Sequence, residues 1–280
     1  MHASPLDEAV SRAQAVLRRR GVPLPAALLH LATGVGVLAG RLKAAGRLPF
    51  SSVEACPRAW RESLLHWGEL EGVPVWLLEA APLEPEESDA AWEQCFPIWL
   101  AAASGASTLL YVTAGAALDA SIRAGTLALL GDHINFSGST PLLGLGASKL
   151  GAQFPDQTRV HDVELRRAAL TLAGELGLAA REVVAAGTLG PTLETPAERR
   201  WLARAGAEVS AQGLAAPLIA AAHAGLGGLT IVVVVQQADE ALDIAKIAAR
   251  SEALAPALDD LLTRLSAEVQ RRARAELEDA

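Results

Sequence analysis

Short apolar runs alternate with amphipathic stretches along most of this chain, and that alternation restricts the fold more than any other feature. Ala26–Leu31, Val73–Leu78, Thr108–Thr113, Thr126–Leu130, Glu182–Gly187, Glu208–Ala211 and Leu229–Val235 read as strands. Leu6–Arg20, Asp89–Ser104, Val160–Leu176, Pro196–Ala205, Leu214–Ala224 and Ser251–Leu277 read as helices. Strands separated by helices of this length need crossover connections, which lay strands parallel and predict an α/β fold. Ile231-Val-Val-Val-Val235 is apolar without alternation, the pattern of a strand covered on both faces. No Pro/Ser/Gly-biased linker and no fixed repeat divides the chain, so residues 1–280 are expected to form one domain.

Charge narrows the partners. With 24 Lys+Arg against 32 Asp+Glu, the net charge is −8, and only Lys43, Lys149 and Lys246 are lysines. There is no basic field for a phosphate backbone or an anionic lipid surface, so neither nucleic acid nor membrane is an expected partner. The uncharged stretch Cys95–Leu118 is long enough to cross a bilayer. Ser104-Gly105-Ala106-Ser107 interrupts it, and the β-forming run that follows favours a buried helix feeding a central strand. Two cysteines, Cys56 and Cys95, make no disulfide framework, and the N-terminus lacks the order of a signal peptide, so a cytoplasmic location is expected. Five of the six tryptophans (60, 67, 76, 92 and 99) flank the loop-like Ala80–Ser88, which suggests local core packing ahead of a subunit interface.

Three segments carry candidate chemistry. Gly34-Val35-Gly36-Val37-Leu38-Ala39-Gly40, with Glu54 downstream, suggests a dinucleotide site, but its spacing is GxGxxxG, and Gly-rich strand ends serve any anion. Gly131-Asp132-His133-Ile134-Asn135-Phe136-Ser137-Gly138 is a polar cluster at a strand end. Asp132 and His133 could be an acid/base pair, yet neighbours on a strand point to opposite faces, and the composition suits a turn. In Gly187–Glu198, a strand ends, a Gly-Pro loop follows, and Thr195-Pro196 opens a helix. Glu194 then sits near the carboxyl ends of the strands, where open α/β sheets bind ligands.

Taken together, GDHINFSGSTPLLG (131–144), Gln153-Phe-Pro-Asp156 and GPTLETPAERRWLARAGAEV (190–209) resemble the purine nucleoside phosphorylase family, in its trimeric branch with the methylthioadenosine phosphorylases. The resemblance runs from about Leu24 to Val269, with ungapped spacing from Phe96 to the helix around Glu252. It implies a single α/β domain with a mixed, partly barrel-like sheet flanked by helices, a homotrimer, and a role in purine salvage. The reaction implied is phosphorolysis of nucleosides to base and ribose 1-phosphate, with phosphate as co-substrate and no further cofactor or metal.

Such a reaction develops oxocarbenium character on the sugar and negative charge on the leaving purine, so the enzyme must hold phosphate against the sugar and hydrogen-bond the base. The resemblance places Glu194 and Leu193 at the purine, with Gln236 where the family has an asparagine. It places Thr33, Gly34 and Ala114 at the phosphate, and Gln212, Arg250 and a neighbour's Leu150 at the sugar. A carboxylate and an amide suit a 6-oxopurine: Glu194 accepts from N1–H, and Gln236 donates to O6. At other positions the chain departs from the family. Pro82-Leu83-Glu84 stands where an Arg-x-His pair binds phosphate, Thr113-Ala114-Gly115-Ala116 replaces an Asn-Ala-Ala-Gly turn, and Leu150 replaces an aromatic residue. Arg58, Arg61 or His66 could restore the lost cations. The expectation is a 6-oxopurine nucleoside phosphorylase, with a phosphorolysis-deficient purine-binding or assembly protein as the alternative.

Overall fold

The computed structural model describes residues 4–32, 38–79 and 89–278, with side chains as far as Val269 and again at Arg271. The chain opens with α1 (Pro5–Arg19), which starts where Ser4 and Asp7 form a reciprocal capping box and Pro5 takes the first turn. Leu6, Val10, Ala13 and Leu17 recur at helical spacing and bury one face of it. The strands that follow are β1 (Ala27–Leu31), β2 (Lys43–Pro49), β3 (Leu64–Leu70), β4 (Val73–Leu78), β5 (Thr108–Ala117), β6 (Leu127–Asn135), β7 (Ala180–Thr188), β8 (Val209–Gln212) and β9 (Gly227–Gln236). Between and after them lie α2 (Phe96–Ala103), α3 (Val163–Glu175), α4 (Pro196–Arg204), α5 (Ala215–His223) and α6 (Ile244–Glu278).

Among the described residues, the nine strands join one mixed sheet in the order β2-β3-β4-β1-β5-β8-β7-β6-β9. β9 also pairs with β5, so β5, β8, β7, β6 and β9 close into a barrel while β1 to β4 extend from it as a wing. β1 runs parallel to both β4 and β5, whereas β5–β8 and β6–β9 are antiparallel. The expected mixed, partly barrel-like α/β sheet is therefore present. Closure removes the edges of the barrel portion, and β2 remains as the edge of the wing.

Two apolar cores cover the faces. One gathers Trp60, Trp76, Trp92 and Trp99 with α1, α2 and α5. The other packs α3 and α6 on β1, β5 and β9. Core packing accounts for the tryptophan cluster: Trp60 donates to the Glu93 carbonyl (2.8 Å), Trp76 to the Pro23 carbonyl (2.9 Å) and Trp99 to His223 Nδ1 (3.0 Å). Both cysteines are free and buried, and burial pushes the Cys56 thiol up to about 12. Among the described residues no helix is long and apolar enough to cross a membrane. The uncharged stretch is α2 followed by β5.

Several boundaries differ from expectation for identifiable reasons. β2 carries no apolar alternation, because its residues are mostly exposed, and sequence pattern alone passes over it. The helix expected from Asp89 begins with a 3₁₀ turn at Ala91–Cys95 and becomes α2 only at Phe96. α6 starts seven residues before the expected Ser251 and carries Pro256 within it. Gly131–Asn135 is not a turn. It continues β6, paired with β7 as far as Asn135 opposite Gly187, with the register skipping Gly131. The Gly-rich segment falls partly outside the described residues, and Leu38–Arg41 is a single 3₁₀ turn.

Candidate functional site

A cleft of about 890 Å³ opens at the carboxyl ends of β5 and β9, between the Leu193-Glu194 loop and the first half of α6. Its floor is Thr113–Ala116 of β5, flanked by Ala32 just beyond β1 on one side and Ser210–Gln212 of β8 on the other. This is where a sheet of this class presents ligand sites. Gly115 is required here: a Cβ would lie 2.3 Å from the Ser210 carbonyl oxygen and 2.5 Å from Val232. Its absence lets β5, β8 and β9 converge, and the β5–β9 register shifts between Gly115 and Ala116.

Glu194 is brought in by the loop between β7 and α4, which Thr195 terminates by capping α4 in a box with Glu198. Thr188 Oγ1 donates to Glu194 Oε1 at 2.8 Å, and Ser210 Oγ donates to Oε2 at 3.4 Å. The carboxylate is thus fixed by two hydroxyls and keeps acceptor positions for a ligand. Leu193 lines the cleft beside it and is exposed.

Gln236, at the end of β9, is 7% exposed and also lines the cleft. Its Oε1 accepts from Arg199 Nη1 at 3.3 Å, and its Nε2 donates to the Glu240 carbonyl at 2.9 Å. A guanidinium only donates and a carbonyl only accepts, so these two partners set which end of the amide is which. Arg199 is itself anchored by donating to the carbonyls of Ala117 (2.7 Å) and Gln237 (3.2 Å).

The remaining expected residues fall in different places. Ala114 and Gln212 line the cleft, and Gln212 Nε2 donates to the Thr192 carbonyl at 2.9 Å, bracing the loop that carries Glu194. Arg250 does not line it. Its guanidinium grips Glu240 through two contacts, 2.6 Å and 2.9 Å, and donates to the Val235 carbonyl at 2.9 Å. Those contacts hold the Glu240 carboxyl down at about 2, first through the Arg250 hydrogen bonds and then through the Gln237 N–H. Leu150 lies beside α1, half-buried against the first core. Thr33 and Gly34 lie outside the described residues, though Ala32 immediately before them is part of the cleft wall. Arg58 and Arg61 sit at a 3₁₀ turn before β3, and His66 is on β3, where burial and then Arg47 lower its affinity for a proton. None of these three lines the cleft.

Among the described lining residues only Glu194 and Glu252 are ionisable, and no cation is present. Thr188, Ser210 and Arg199 were not singled out from sequence. Arg199 falls within the 190–209 motif, and Thr188 directly follows the strand expected to end at Gly187, so both carried a positional signal.

The chain belongs to the purine nucleoside phosphorylase family within the phosphorylase superfamily, whose family model matches residues 31–267. It is 31% identical over 238 residues to purine nucleoside phosphorylase 1 of Geobacillus stearothermophilus, covering 84% of this chain and 86% of that one. With purine nucleoside phosphorylase 1 of Bacillus subtilis it shares 30% identity over 241 residues, 85% of this chain and 89% of the relative. In fold it matches a schistosome purine nucleoside phosphorylase in complex with hypoxanthine, with a TM-score of 0.84, 22% identity, and coverage of 94% of this chain and 98% of the other. Isoform 2 of the Schistosoma mansoni enzyme, solved with cytosine and ribose-1-phosphate, also superposes with a TM-score of 0.84 at 24% identity, over 92% and 95% of the two chains.

Proposed function

We propose that this protein is a purine nucleoside phosphorylase that cleaves 6-oxopurine nucleosides with phosphate as co-substrate and no other cofactor. The observation that carries this reading is the Glu194 carboxylate, held by Thr188 and Ser210 in a cleft that also presents the fixed Gln236 amide. Family membership supplies the reaction class, and the donor and acceptor inventory supplies the base.

In the reaction the bond from C1′ to N9 of the purine breaks as a phosphate oxygen bonds to C1′, giving ribose 1-phosphate and a base that takes up a proton. Glu194 accepts a hydrogen bond from N1–H, and this contact strengthens as electron density moves onto the purine. The Gln236 amide, its orientation fixed by Arg199, offers its second N–H toward O6. Leu193 supplies apolar contact to the ring. The family resemblance assigns Thr33, Gly34 and Ala114 to the phosphate and Gln212 and Arg250 to the sugar, although Arg250 is held by Glu240 outside the cleft lining. A homotrimer, in which Leu150 closes a neighbour's sugar site, and a cytoplasmic setting complete the proposal. Light scattering that returned a monomer at micromolar concentration would remove Leu150 from the site.

A second reading has its own observation. The described lining lacks any cation for a phosphate dianion, which favours a purine-binding protein that has lost phosphorolysis. Incubating the full chain with inosine and guanosine, with and without phosphate, separates the two. The first reading expects base release only when phosphate is present. Hypoxanthine binding without turnover supports the second, and equal release without phosphate overturns phosphorolysis. Adenine binding more tightly than both hypoxanthine and guanine would overturn the 6-oxopurine assignment.

A further inference from the structure

Outside the cleft, three side chains that could ligate a cation converge on the barrel. Asp132, His133 and His161 each place one ligand atom within 4.8 Å of the others. His133 Nδ1 and His161 Nε2 are 2.9 Å apart, and the rings meet edge to face at a centroid distance of 5.1 Å. We propose that these residues form a binding site for a first-row divalent cation of the zinc type, separate from the nucleoside cleft.

The convergence is built by the backbone. On a regular strand Asp132 and His133 would face opposite ways. The register between β6 and β7 skips Gly131, and the Asp132 carboxylate folds back to accept the His133 backbone N–H at 2.7 Å, so the carboxylate and the imidazole share one locality. His161 arrives from the segment before α3, where it bridges to Gly228. The nearby cation Arg166 is paired with Glu182 at 3.0 Å, which offsets its repulsion of a metal.

A second observation concerns His161 itself. It is 8% exposed and turns its Nε2 toward His133, so Nε2 is the ligand atom it offers. Burying imidazoles this close together costs desolvation that one shared hydrogen bond offsets only in part. A metal ion would take lone pairs from both rings. Zinc bonds of about 2.0–2.1 Å in a tetrahedral arrangement separate ligand atoms by about 3.3 Å, so the two nitrogens need to part by only a few tenths of an ångström. The exposed Asp132 completes the set by a side-chain rotation. Two imidazoles and a carboxylate select zinc or a neighbouring transition metal over magnesium or calcium, and they leave a coordination position open. His161 also lines a cavity of about 540 Å³, which gives an ion a path to the ring. None of the three residues lines the nucleoside cleft, so the site stands whether or not the catalytic reading holds.

The test uses the full chain after dialysis against a chelator, titrated calorimetrically with Zn²⁺ and spectroscopically with Co²⁺, and with Mg²⁺ as control. The expected result is one saturable equivalent per chain, a visible Co²⁺ band of low-coordinate type, and no response to Mg²⁺. Zn²⁺ should also raise the melting temperature, because it would tie β6 to the segment before α3. Asp132→Asn and His133→Asn should each weaken Zn²⁺ binding at least roughly tenfold, and the His133→Asn/His161→Asn double variant should abolish it. Asp132 is exposed, so its variant keeps the test open if replacing His161 disturbs folding. Absence of saturable binding, or equal affinity in the chain and in the folded Asp132 and His133 variants, would overturn the site and leave a hydrogen-bonded imidazole pair.

Discussion

The two sides of the cleft are furnished very differently. Toward β8 and β9, every polar side chain has a defined partner: Glu194 with Thr188 and Ser210, Gln236 with Arg199 and the Glu240 carbonyl, Gln212 with the Thr192 carbonyl. Toward β1 the described floor residues are Ala32, Thr113 and Ala114, none of them charged. Preorganised donors and acceptors make recognition specific because little is lost in ordering them on binding. On the proposed function, base recognition falls to the first side. The second would then rely on backbone N–H groups and small residues to hold phosphate.

The sharpest way to break that comparison is to charge the sparse side alone. Ala114→Asp should raise the KM for phosphate by roughly 100-fold, since a like charge about 5 Å away costs on the order of 3 kcal/mol at an effective dielectric near 20. Hypoxanthine affinity should stay within about twofold. Equal losses for phosphate and base would mean that the two sides are not separate.

Arg199→Met probes the furnished side. It frees the Gln236 amide to flip and leaves the Ala117 and Gln237 carbonyls without this donor. Preference for hypoxanthine over adenine should fall roughly tenfold, and stability should drop by about 1–3 kcal/mol, measured by denaturant titration. Retained preference would show that the amide does not read the base.

Arg250 should matter least, because its guanidinium is already committed to Glu240 and the Val235 carbonyl. Arg250→Ala should change the KM for inosine by less than about threefold at pH 7. The clamp has a pH signature. Glu240 is held at about 2 against an ordinary 4.5, so its contribution to stability is full above about pH 4.5 and is lost as the pH falls toward 2. The gap in stability between the chain and the Arg250→Ala variant should therefore narrow over that interval. A gap that widens as the pH falls would contradict the pairing.

Much of this was legible in the residues. Leu229–Val235 announced a strand buried on both faces, and it closes the barrel as β9. The 190–209 motif located the loop that carries Glu194 between strand and helix. β2 was not legible, because a mostly exposed strand has no hydrophobic periodicity to read. The His133–His161 contact was hidden for another reason: it joins residues 28 positions apart and depends on a bulge at Gly131, which inverts the face that simple alternation assigns. Arg250 aligned with a sugar-facing histidine, yet its long side chain finds Glu240 instead, a competition between neighbours that position alone does not reveal.

The central claim is that Glu194 reads the purine, and hypoxanthine calorimetry on the chain and its Glu194 variants tests it most directly. A charge-assisted hydrogen bond is worth about 1.5–3 kcal/mol, a factor of roughly 10–150. Glu194→Gln keeps an acceptor and should lose toward the lower end of that range, while Glu194→Ala should lose more. Melting temperature without ligand should hardly move, since the residue lies on a half-exposed loop. Unchanged hypoxanthine affinity in both folded variants would contradict the claim and make Glu194 a solvated loop carboxylate.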